Sequence, residues 1–229
     1  MVLNKIVSLT ASSSLASLSP AALAVTTLQV VGTLSSFGME SGIQSQTPYS
    51  KFAKDKKLSV PIASRLGMLL IYAPAMTYTG IQALHVPVTG LADLFSDRTK
   101  LLLACLFLHF FKRVAETLFL HKYSGNTDAV VASFIGAYYV YVSWIILHFQ
   151  YLFVFTTISR ELTLLGLGAF IIGELGNLYH HSILANLRKV GNRDYQVPSG
   201  GLFGAVAMPH YFFELIAWLG IAMIAQQGI

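Results

Sequence analysis

The sequence holds a single cysteine, Cys105, in 229 residues, so no disulfide can close within the chain and a disulfide-stapled scaffold is excluded. Charge is scarce as well. Asp, Glu, Lys and Arg together make up 11% of the chain, against roughly 25% in a water-soluble domain. Hydrophobic residues reach 55% and the mean hydropathy is +0.63. These values rule out an ordinary soluble globule, and equally a disordered chain, which needs low hydrophobicity and high charge. No G-x-G-x-x-G, P-loop, C-x-x-C or H-E-x-x-H occurs, and there is no internal repeat. What remains is an integral membrane protein.

The few charges are mostly positive, with 15 Lys and Arg against 10 Asp and Glu. They flank apolar blocks at Lys51 to Lys57, at Arg98 and Lys100, and from Arg188 to Arg193. Lys and Arg in such places mark cytosolic loops, and some are free to meet cofactor phosphates or lipid headgroups. No recognition motif accompanies them, so nucleic acid is not an expected partner.

A membrane helix needs about 20 mostly apolar residues. Six stretches qualify: 14–37, 64–84, 99–120, 129–156, 161–187 and 202–225. The first continues past the signal-peptidase-like run Pro20-Ala21-Ala22-Leu23-Ala24 and reads as a helix rather than a cleaved signal. Polar loops separate the stretches at Glu40–Lys57, Asp93–Lys100, Ser124–Asp128 and Val190–Gly201. The expected fold is all-α, a multi-spanning transmembrane bundle. No alternating barrel pattern is present.

Ionisable residues at membrane depth are costly and point to function by default. His109, Lys112, Arg113 and Glu116 recur at i, i+3, i+4 and i+7, so they share one helix face. Glu174, Asn177, His181 and Arg188 form a second stripe. A third group is Pro209-His210-Tyr211-Phe212-Phe213-Glu214. The second reads either as a site or as interhelical hydrogen bonding that holds the bundle together; the alternative for the first is Lys112 and Arg113 snorkelling to the surface with Glu116 paired locally, and for the third an interfacial aromatic belt of Tyr211 and Trp218. The seven histidines form neither H-x-x-x-H nor H-x-x-H-H, so a metal is not expected.

Three blocks resemble the steroid 5-alpha-reductase family, which includes the very-long-chain enoyl-CoA reductases. His109-Phe110-Phe111-Lys112-Arg113-Val114-Ala115-Glu116-Thr117 and the following residues to Ser124 are similar to the family's HF-x-KR-x-x-ET block. Gly176-Asn177 to His181, then Leu187-Arg188, is similar to its G-N-x-x-x-H and L-R helix. Tyr195-Gln196-Val197-Pro198-Ser199-Gly200-Gly201-Leu202-Phe203, then Pro209-His210-Tyr211 and Glu214, is similar to its GGLF and P-[NH]-Y-x-x-E signature. The likeness extends to the plant 3-oxo-5-alpha-steroid 4-dehydrogenase family proteins.

The resemblance implies a multi-pass enzyme of the endoplasmic-reticulum membrane. It would reduce a carbon–carbon double bond conjugated to a carbonyl, in an enoyl-CoA or a steroid-like lipid, with NADPH as hydride donor. It divides the chain into an N-terminal membrane helix with a basic loop, 1–60, and a reductase-like catalytic domain, 61–229. Lys112 and Tyr211 match the catalytic positions. Asn177, His181, Arg188, His210, Glu214 and Arg113 match positions around the cofactor. Other fatty-acid elongation enzymes become expected partners. The family also continues beyond the last span with a basic tail, so this chain, ending at Ile229, is expected to lack that end. Two differences stand out. Tyr72 stands where steroid reductases carry a catalytic Glu, and Phe110 where they carry a Tyr. A non-catalytic member of the family and an isoprenylcysteine-type methyltransferase are the competing readings.

Overall fold

In a computed structural model, residues 58–148, 159–187 and 196–226 are described, and they are mostly helical. The expected stretch 14–37, the loop Glu40–Lys57, the segment 149–156 and Arg188 lie outside them. The order is β1 (Pro61–Ala63), α1 (Ser64–His85), α2 (Leu91–Ser96), α3 (Arg98–Ala115), a π-helical turn (Glu116–Leu120), β2 (Asn126–Asp128), α4 (Ala129–His148), α5 (Arg160–Leu187) and α6 (Pro209–Ala225). Two of these, Ala129–His148 and Arg160–Leu187, are long and apolar enough to cross a membrane.

The helices start and stop where local chemistry says they should. Asp97 accepts from the Thr99 amide at 2.8 Å and caps α3. Asp128 does the same for α4 through the Val130 amide at 2.9 Å. It also accepts from the Ser59 amide and so ties down the chain that enters β1. β1 and β2 pair antiparallel with Pro61 opposite Asp128, which joins the N-terminal ends of α1 and α4. The loop expected at Asp93–Lys100 is partly helical, because α2 forms around Asp93, which accepts from the Thr89 amide at 2.8 Å.

The span expected at 202–225 begins as a helix only at Pro209. Gly200 and Gly201 take φ of +92° and +53°, a left-handed region that glycine enters freely. The chain then turns through Leu202–Ala205, held by Val206 N–H to the Leu202 carbonyl at 2.8 Å. Pro209 at the first helical position costs α6 no hydrogen bond.

Packing relies on small residues. In α5, a Cβ added at Gly173 would lie 2.4 Å from the Ala217 nitrogen of α6, so the two backbones touch. Pro74 inside α1 has no N–H for the Leu70 carbonyl. Gly136 of α4 packs on that freed oxygen, since a Cβ there would sit 2.3 Å from it. Ile71, Leu102, Leu106, Phe110, Ile221 and Ile224 form the centre of the core, each at most 1% exposed.

Candidate active site

The two polar stripes read from the sequence face one another. His109 and Lys112 lie one turn apart on α3, and Glu174 and Asn177 one turn apart on α5. His109 donates from Nδ1 to Glu174 Oε1 at 2.6 Å. Lys112 Nζ donates to Asn177 Oδ1 at 2.6 Å and pairs with Glu174 Oε2 at 2.8 Å. Asn177 Nδ2 in turn donates to the His210 carbonyl at 2.8 Å, which reaches the first turn of α6. Lys112 therefore stands where α3, α5 and α6 meet.

One turn further along, Arg113, Glu116 and His181 make a second, fully buried knot. Glu116 Oε2 accepts from Arg113 Nη1 at 2.8 Å and from His181 Nδ1 at 3.0 Å. Arg113 Nη2 donates to the Tyr72 hydroxyl at 2.6 Å, and its guanidinium carbon lies 4.7 Å from the centre of the Tyr72 ring. Glu116 opens the π-helical turn, closed by His121 N–H to the Glu116 carbonyl at 2.8 Å. Widening the turn by one residue carries His121 back over the knot, with its ring 4.9 Å from that of His181.

Glu116, His121 and His181 bring donor atoms within 4.8 Å of one another, the spacing of a metal site. Arg113 decides against a cation there. Its Nη1 is 2.8 Å from Glu116 Oε2 and 3.0 Å from His181 Nδ1, so a positive charge already neutralises the carboxylate. His180 is also accounted for by structure. Its Nδ1 donates to the Gly176 carbonyl at 2.7 Å and its Nε2 accepts from the Leu202 amide at 3.0 Å. Nδ1 is tied to its own helix, Nε2 pins the Gly200–Gly201 turn through Leu202, and neither is left for a ligand.

The other candidate residues divide. His210 is 7% exposed, with its ring 5.4 Å from that of His181 and 4.3 Å from that of Tyr211. Its Nδ1 is buried without a hydrogen-bond partner, as are Glu214 Oε2 and Arg113 Nε. His109 Nε2, Glu116 Oε1 and Thr127 Oγ1 are buried without a hydrogen-bond partner in the same way, so an open atom by itself does not mark a ligand site. Tyr211 follows His210, whose carbonyl Asn177 bonds. It is 51% exposed, and no described residue bonds its hydroxyl. Arg188 lies outside the described residues. Tyr72 is the member of the cluster to which the pattern of charges gives no role, because a tyrosine in an apolar helix reads as core until its partner is known.

The chain also has relatives among known proteins. Residues 126–229 match the family model described as 3-oxo-5-alpha-steroid 4-dehydrogenase. The chain is 33% identical over 177 residues to a very-long-chain enoyl-CoA reductase of Dictyostelium discoideum, covering 75% of this chain and 58% of that protein. It is 26% identical over 175 residues to 3-oxo-5-alpha-steroid 4-dehydrogenase 1 of Mus musculus, covering 73% and 67%. It is 33% identical over 133 residues to a polyprenal reductase of Xenopus laevis, covering 52% and 42%. The matches thus span between about two fifths and two thirds of these relatives' own lengths. The chain belongs to the steroid 5-alpha-reductase and very-long-chain enoyl-CoA reductase family.

Proposed function

We propose that this chain works as a multi-pass reductase of the endoplasmic-reticulum membrane, acting on a carbon–carbon double bond conjugated to a carbonyl in a lipid. NADPH, when bound, supplies the hydride for the β-carbon. The negative charge then grows on the carbonyl oxygen and is relieved by a proton at the α-carbon. Lys112 is suited to hold that oxygen as a cation, because its ammonium is already oriented between Glu174 and Asn177. Tyr211, whose hydroxyl no described residue bonds, is suited to give the proton.

The residues around the cofactor fit a nicotinamide and its phosphates in chemical type. Glu214 Oε2 is an open acceptor for an amide N–H, and His210 Nδ1 is open beside it. His181 and Arg113 line the same wall, and Asn177 fixes the start of α6 through the His210 carbonyl. Arg188, next in sequence after Leu187, has the side chain that suits a phosphate. The substrates named for the relatives, enoyl-CoA, 3-oxo steroid and polyprenal, define the class to test.

The observation that carries the reading is the Lys112 ammonium held at the junction of three helices by a carboxylate and an amide. The test uses the full chain in lipid nanodiscs, following NADPH oxidation with each of the three substrate classes. Lys112→Ala and Tyr211→Phe should each lower turnover by at least about 100-fold, the scale of a lost acid or oxyanion donor. Wild-type turnover in both variants refutes the assignment.

A further inference from the structure

A buried ammonium must have a carboxylate within hydrogen-bond reach. The Lys112 side chain is 15% exposed. In the sequence its natural counter-ion is Glu116, four residues on. The structure gives Glu116 other work. Its Oε2 is taken by Arg113 and His181, and its Oε1 stays 3.8 Å from Lys112 Nζ. Among the described residues, the carboxylate in contact with Lys112 at hydrogen-bond distance is Glu174, at 2.8 Å from the opposite helix.

Glu174 is in turn held from behind. His109 Nδ1 donates to its other oxygen at 2.6 Å. The His109 ring is 1% exposed and packs edge-on to Phe110 and Trp218, at 5.1 Å and 5.0 Å between ring centres. An aromatic wall thus fixes His109, His109 fixes Glu174, and Glu174 sets the ammonium against Asn177. We propose that Glu174, braced by His109, is the positioning residue of Lys112, keeping its head aimed at the substrate carbonyl. This rests on the reading of Lys112 as the group that meets that carbonyl.

The test compares Glu174→Gln, Glu174→Asp and Lys112→Ala, alone and combined, in the full chain in nanodiscs. Glu174→Gln keeps the shape and removes the charge. It should lower kcat by about 100-fold, with the KM for NADPH within about 2-fold, the expectation where ground-state binding is untouched. Glu174→Asp should recover part of the loss. In the Lys112→Ala background Glu174→Gln should add nothing, because a residue acting through a lost partner has no further effect. A bridge that merely joins α3 to α5 predicts otherwise, with less folded protein and a loss that adds to that of Lys112→Ala.

Unchanged kcat or additive losses overturn the proposal. Wild-type turnover in Lys112→Ala refutes the catalytic role of Lys112 itself, and the positioning role falls with it.

Discussion

The Arg113–Glu116 pair offers the sharpest test of how the interior is held together. Arg113 is 6% exposed and Glu116 3%. Replacing Arg113 by Met removes the 2.8 Å pair with Glu116, the 2.6 Å bond to the Tyr72 hydroxyl and the contact with the Tyr72 ring. It leaves the Glu116 carboxylate buried with His181 at 3.0 Å and the Lys112 ammonium, at 3.8 Å, to answer it. Breaking a buried ion pair from one side costs about 3–5 kcal/mol, because the orphaned charge keeps its desolvation penalty. In a chain of this size each kcal/mol moves Tm by about 2–4 °C, so Arg113→Met should lose about 6–20 °C. The double variant Arg113→Met/Glu116→Leu removes both charges and replaces them with apolar volume. It should recover most of that loss, since apolar replacement of a buried pair is often neutral or stabilising. The assay is thermal unfolding in detergent, read by near-ultraviolet circular dichroism. A double variant no more stable than Arg113→Met would refute the reasoning, because the loss would then come from packing and not from an unanswered charge.

Two further outcomes follow from other parts of the molecule. Gly173→Ala places a methyl 2.4 Å from the Ala217 nitrogen and should destabilise by at least about 1–3 kcal/mol, the cost of overpacking. Gly168→Ala on the same helix meets nothing within 4 Å and should be neutral or stabilising, so equal melting shifts would refute the close approach. Near α2, the Lys100 ammonium and then the Thr89 amide hold the Asp93 carboxyl at about 2, below the ordinary 3.8. A depressed carboxyl stabilises the fold above its ordinary value and loses that contribution as pH falls. Hydrogen exchange of residues 89–96 should therefore quicken as pH drops from about 4 to about 2 relative to residues of α6, and Asp93→Asn should abolish the change.

How much of this was visible in the residues depends on whether a feature is local. The stripes His109, Lys112, Arg113, Glu116 and Glu174, Asn177, His181 follow from helical spacing, and the structure mates them. The pairing across the stripes is another matter. Lys112 with Glu116 is the pair that i, i+4 spacing favours, yet Lys112 takes Glu174, because Arg113 at i−3 claims the Glu116 carboxylate first. The return of His121 was hidden for a similar reason. A five-residue offset faces away on an α-helix and comes into line only once the turn at Glu116–Leu120 widens. The late start of α6 at Pro209 was legible in principle, since Gly200-Gly201 and Pro209 both argue against a helix running from 202.

The two places where this chain departs from the steroid reductases explain one another. The resemblance puts a Glu at position 72 and a Tyr at position 110 in those enzymes. Here Phe110 is fully buried, edge-on to Tyr139 and Trp218 at 5.3 Å and 6.2 Å, and can offer no hydrogen bond. Tyr72 spends its acceptor on Arg113 and stacks on Tyr139 at 5.9 Å. A carboxylate at 72 would compete with Glu116 for Arg113. With a neutral hydroxyl there, Glu116 keeps the guanidinium, and Lys112 is left to Glu174 and Asn177. On the proposed reading the polar head of the site then shifts from Tyr72 to the α3–α5 contact, where Lys112 meets Glu174 and Asn177. That shift predicts that Tyr72→Phe, which removes only the hydroxyl bonded to Arg113, lowers stability by about 1–3 kcal/mol while leaving kcat within about 3-fold, the scale for a group outside the reacting atoms. Loss of turnover with unchanged stability would return the chemistry to position 72.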